Sequence, residues 1–121
     1  MINGRFDEVG HLLFEIELIP DSGSKLPEDA MLDTGFTGFI AMNKQDLDGF
    51  EWAYLGKRKM LTAQGITTFQ AYLGKITLDE QEYEIPVFAG KGLTEILLGS
   101  AWLKILPLAV NYQAGILTLG D

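Results

Sequence analysis

Apolar positions along this chain recur at every second residue far more than at helical spacing, the signature of strands with one buried face. Leu12, Phe14, Ile16 and Leu18 alternate with Leu13, Glu15 and Glu17 and predict a long strand. Residues 20 to 29 are rich in Pro, Asp, Ser and Gly and predict a loop. An apolar approach over Ala30 to Leu32 predicts the next strand, and Gly38 to Met42 another just behind it. Asn43 is placed to cap a brief helix running through Leu47 and Phe50. Further strands are expected over Lys59 to Thr62, Ile66 to Leu78 and Tyr83 to Phe88. Ala63-Gln64-Gly65 turns the first of their hairpins, and Asp79 to Glu82 the second.

After a glycine loop, Ala89 to Gly92, the segment Glu95 to Gly99 predicts a short apolar strand ending in glycine. Ser100 to Ile105 suits one or two turns of helix, which Pro107 stops because its ring cannot sit in a continuing helix. Ala109 to Tyr112 and Gly115 to Leu119 predict a closing hairpin. With no linker, repeat or low-complexity segment, residues 1–121 read as a single all-β domain of about nine strands and little helix.

Composition narrows the functions open to such a domain. The chain has 121 residues, enough to bury a real core, and its 47% apolar and 21% charged residues are ordinary globular values. A net charge of −8 argues against nucleic acid, which needs a basic surface, and gives no attraction to an anionic membrane. Without cysteine there is no disulfide, thiol nucleophile or thiolate metal site. One histidine, His11, cannot form a histidine metal cluster, and a Ser-His-Asp triad would have to be built around it alone. The N-terminal residues lack the apolar core of a signal peptide, and no apolar run reaches the roughly 18 residues of a spanning helix. The expectation is a cytoplasmic protein with no metal or other cofactor.

Candidate chemistry concentrates in Asp33-Thr34-Gly35-Phe36-Thr37-Gly38. An apolar strand delivers one carboxylate, one hydroxyl and one glycine into a turn, where a surface turn would more often have polar flanks. Hydrolysis by paired carboxylates needs one ionised as base and one protonated as acid, a state that two carboxylates about 3 Å apart adopt by sharing a proton. The motif occurs once. A second aspartate must therefore come from another chain. In that scheme Asp33 is the catalytic carboxylate, and the Thr34 hydroxyl can bond across a two-fold axis. Gly35 lets the backbone pass close and frees its N–H to orient a carboxylate, and Thr37 offers a further hydroxyl to the turn or to Asp33.

About 65 residues after the motif a second apolar strand, Ile96-Leu97-Leu98-Gly99, leads into a short helix, and a long hairpin lies between the two. In this order the chain resembles the retropepsin-like aspartic proteases of clan AA, closest in look to small single-domain bacterial and archaeal members. The resemblance implies a closed, barrel-like acid-protease fold with one or two short helices and a dimer cleft. It implies an aspartic endopeptidase working as a homodimer on peptide or protein substrates, with no metal. Ala63, Gln64 and Gly65 would form the flap tip over substrate, and Leu98 and Gly99 the strand packing through the loop that holds Asp33. Phe36 departs from the alanine usual at this place in retroviral members: its ring either points into the core or intrudes on a substrate subsite. That departure keeps open a catalytically inactive peptide- or protein-binding dimer, and beyond it a purely structural oligomerisation domain.

Overall fold

The computed structural model describes residues 1–121. Two short strands open the chain, β1 (Ile2–Asn3) and β2 (Arg5–Phe6), followed by β3 (Leu12–Leu18) and β4 (Leu26–Leu32). Then come β5 (Ile40–Asn43), β6 (Ala53–Thr62), β7 (Gly65–Leu78) and β8 (Gln81–Gly90). The last are β9 (Ile96–Leu98), β10 (Leu108–Asn111) and β11 (Ile116–Leu119). Helix is confined to two single 3-10 turns, Lys44–Leu47 and Ser100–Lys104.

Strands β3, β4, β9, β5, β8 and β7 pair in that order, and β7 pairs back onto β3, which closes a six-stranded barrel. Closure removes the free edges that an open sheet would leave around the core. Phe14, Ile16 and Leu18 enter the barrel as alternation predicts, and meet Ile40, Met42, Ile76, Leu78, Val87, Leu98 and Trp102. A smaller cluster of Phe36, Ala41, Phe69, Ala71 and Phe88 packs separately. A second sheet orders β1, β11 and β10, so Ile2 and Asn3 pair with Leu119 and Thr118 of the same chain. No helix is long and apolar enough to cross a membrane.

Several boundaries differ from the sequence expectation, each for a tertiary reason. The loop expected over residues 20 to 29 ends early, because Leu26 to Asp29 already pair with Glu15 to Leu18 of β3. Strand β6 starts at Ala53 rather than Lys59, since Ala53 to Arg58 pair with Phe69 to Leu73 across a bulge at Tyr54 and Gly56. β1 and β2 are too short to carry an alternating pattern and exist through β11 and β3. Asn43 does precede a 3-10 turn, but its side chain makes no cap bond and the turn stops at Leu47, short of Phe50.

Strand β7 pairs with β8 only from Gln70 onward, and with β6 from Gly65 to Leu73. Residues 65 to 69 therefore have β6 as their single partner, and the end of this hairpin projects as a two-stranded ribbon. Such a ribbon is marginally stable alone.

Candidate active site

Asp33 is the first residue after β4, where the chain leaves the barrel. Strand β9 runs between β4, its parallel partner, and β5, its antiparallel partner. The loop joining β4 to β5 must therefore pass over the end of β9, and it is fastened there on both sides. The Asp33 N–H donates to Leu98 O at 2.9 Å, and the Gly99 N–H donates to Phe39 O at 3.0 Å. The Ser100 N–H adds a bond to Phe36 O at 2.8 Å. Gly99 has φ −85°, a conformation open to any residue, so its reason is space rather than torsion. A β-carbon there would overlap Gly38 O and stand 2.6 Å from both Phe36 O and Phe36 Cδ2.

Behind this crossing, Trp102 is fully buried and donates from Nε1 to Phe39 O at 2.8 Å. Its ring meets those of Phe39 and Tyr83 edge-on, at 4.8 and 5.0 Å between centroids. The loop carrying Asp33 thus rests on a rigid aromatic support, so the carboxylate position is set by the barrel.

Within the motif, the Gly35 N–H donates to Asp33 Oδ1 at 2.9 Å and orients the half-buried carboxylate. A β-carbon at Gly35 would lie 3.1 Å from that oxygen and 3.2 Å from Ala63 Cβ. A side chain here would push on both by a few tenths of an ångström, so glycine eases the approach of the ribbon tip to the motif. Ala63 and Gln64 form its two-residue turn, with Gly65 at φ +99°. The Thr62 hydroxyl braces it, accepting from the Gln64 N–H at 3.2 Å and donating to Gly65 O at 2.9 Å. Thr34 and Thr37 are exposed, and neither hydroxyl bonds within the chain, so the bond expected from Thr37 to the turn or to Asp33 is not formed here.

Phe36 takes the inward of its two alternatives. It is 1% exposed and packs edge-on against Phe69 and Phe88, at 6.0 and 5.8 Å. The ring forms part of the floor of the site without filling it.

Asp33 opens onto a cleft of about 260 Å³ between the motif, the ribbon tip and the Gly90–Leu93 loop. Phe36, Phe69, Leu93 and Leu97 supply apolar surface, and Thr62, Thr67 and Thr68 supply hydroxyls. Volume alone would favour an acidic groove of about 340 Å³ on another face, near Glu28, Asp46 and Glu95. That groove lacks a carboxylate held by a backbone N–H, and its Asp29 is already paired with Arg5. Chemistry selects the Asp33 cleft.

Sequence reasoning missed Phe69, Lys91, Leu93 and Leu97 as cleft residues. For Leu97 the signal was present, because strand parity puts it opposite the buried Ile96 and Leu98. For the others it was not, since their place depends on how the ribbon and the Gly90–Leu93 loop fold over the motif.

The closed barrel, the loop crossing β9 and the ribbon over the motif define an all-β fold of the retropepsin-like kind. The solved structure of a retropepsin-like aspartic protease from Rickettsia conorii is similar to it, with TM-score 0.65 over 98% of this chain and 88% of that chain, at 21% identity. At that identity the likeness speaks for the fold. No family model matches the chain, and no curated protein sequence does.

Proposed function

We propose that residues 1–121 form an aspartic endopeptidase domain that acts as a homodimer, each chain contributing one Asp33. A water between the two carboxylates is the nucleophile. The ionised carboxylate takes its proton as the water oxygen attacks the peptide carbonyl, and the protonated one donates to the carbonyl oxygen. Collapse of the tetrahedral intermediate sends a proton to the leaving amine and breaks the C–N bond. No covalent enzyme intermediate forms. Thr34, exposed and unbonded in a single chain, is available to the partner's motif, and Gly35 holds the carboxylate in place. The Ala63–Gly65 tip covers an extended peptide laid along the cleft as an added strand.

The observation that carries this reading is the setting of Asp33: a carboxylate fixed by the Gly35 N–H, on a loop pinned to β9, open to a cleft and covered by a ribbon. A surface aspartate has no need of such support. The noncatalytic alternative drew on Phe36 and on the small size of the chain, and the buried ring removes the first of these grounds.

The test is cleavage of unfolded protein and peptide substrates between roughly pH 3 and 7, the range in which a carboxylate pair shares a proton. Pepstatin sensitivity and sedimentation are measured alongside. The expected result is pepstatin-sensitive cleavage by a dimer, lost in Asp33→Asn while its unfolding curve and dimerisation stay unchanged. Undiminished cleavage by Asp33→Asn refutes the mechanism. Peptide binding without cleavage by the wild-type dimer establishes the noncatalytic reading instead.

A further inference from the structure

Asp33 and Lys91 are the charged side chains that line the cleft. The chain carries −8 overall, so a cation at this place runs against its general character. Lys91 is exposed at the tip of a Gly90-Lys91-Gly92 loop and makes no ion pair, the three within the chain lying elsewhere. No lysine of the chain is paired, so what sets Lys91 apart is its place in the wall of the cleft. A second cation, Lys59 on β6, stands directly across from Thr68, another residue of the cleft wall. Beside Lys91 the surface is apolar, formed by Leu93, Leu97 and Phe69. Gly90 is seated on the Phe69 ring so closely that a β-carbon would come within 2.9 Å of Cε1, which ties the loop to that apolar floor.

Taking the protease reading as its basis, we propose that Lys91 is a specificity-determining residue. It selects extended peptides that place an acidic side chain at the Gly90–Gly92 end of the cleft, next to an apolar residue bound over Phe69 and Leu97. The acidic group sits away from Asp33, since two like charges at the catalytic end would repel. An ion pair with an exposed lysine discriminates by up to about fivefold.

The experiment uses full-length Asp33→Asn protein, which binds without cutting. Fluorescence anisotropy gives Kd for extended octapeptides in which a single Glu, Gln or Lys is moved along a neutral, apolar sequence. Glu and Gln share a shape, so their ratio reads charge alone. The expected result is one position at which Glu binds up to about fivefold tighter than Gln and Lys binds more weakly. Adding Lys91→Glu reverses the order at that position, and Lys91→Met removes it, while other positions keep their ratios. The loop makes these changes tolerable, because Lys91 bonds to nothing within the chain.

Ratios unaltered by Lys91→Glu, the absence of any position favouring Glu, or the absence of peptide binding each overturn the proposal. Cleavage by the protein with native Asp33 separates the two readings. Cleavage with no charge preference sinks the Lys91 assignment alone. A Lys91-dependent preference in binding, with no cleavage at all, upholds the subsite and sinks the protease.

Discussion

Replacing Phe36 by alanine tests whether the ring belongs to the core or to the substrate. The side chain is 1% exposed, with Phe69 and Phe88 against its edges. Its Cδ2 and Cζ lie so near Gly99 and Gly38 that a β-carbon at either would come within 2.6 Å of the ring. Gly38 on the pinned loop and Gly99 at the end of β9 have no side chain to swing into the vacated space, so the site collapses poorly when the ring is removed. Large-to-small changes at such positions cost about 3–5 kcal/mol, and the upper part of that range applies here. Each aromatic edge contact accounts for about 0.5–1.5 kcal/mol of it. Phe36→Leu, which keeps bulk but loses both edges, should cost about 1–3 kcal/mol.

Urea unfolding at one fixed protein concentration measures both variants, since self-association makes stability depend on concentration. The slope should stay constant while the midpoint falls. In a thermal scan the alanine variant should melt about 12–30 °C lower, at about 3–6 °C per kcal/mol for a domain of this size. A loss below about 1 kcal/mol together with tighter peptide binding would refute the argument, because it would mean that the ring occupies the cleft.

Gly99→Ala should destabilise by about 3 kcal/mol or more, combining overpacking with strain on the bonds at Leu98 O and Phe39 O. The clash is with the backbone oxygens of Phe36 and Gly38 as well as with the Phe36 ring. Unfolding in a Phe36→Ala background should show the penalty persisting, and full rescue there would disprove the backbone explanation. Asp29 ties β4 to β2 through Arg5, at 2.6 and 3.0 Å, and the bonds from that guanidinium hold its carboxyl below the usual carboxylate range. Because the folded form has the lower pKa, this contribution is present above about pH 4 and fades as pH drops through the folded value. Thermal scans from pH 5 to 2 should show Asp29→Asn losing stability less steeply than wild type, by a small margin suited to an exposed pair; parallel curves would contradict it.

Much of the barrel was legible along the chain because alternation records which face of a strand is buried. Leu12 to Leu18 is the plainest case, where observed and expected ends coincide. Asp33-Thr34-Gly35 was legible for a similar local reason: a carboxylate and a glycine directly after an apolar strand announce a loop that must be held. The Glu95–Gly99 segment likewise declared an apolar strand ending in glycine, and the structure supplied the reason, that no side chain fits at Gly99.

Partnership was not legible, since alternation is silent about which strand covers a face. Leu26 to Asp29 look like loop and become strand only because β3 lies beside them. The direction of the Phe36 ring depended on Gly38 and Gly99 leaving room beneath the loop, and on Phe69 and Phe88 arriving from two other strands. The cleft itself, lined by both Asp33 and Lys91, arises where the ribbon and the Gly90–Leu93 loop meet the motif. The sequence by itself determined most of the strands, the loop chemistry and the single carboxylate, because these are set by neighbours one to four residues apart. Only the tertiary structure decided what surrounds Asp33, because its surroundings come from segments some 30 to 65 residues away that meet when the barrel closes.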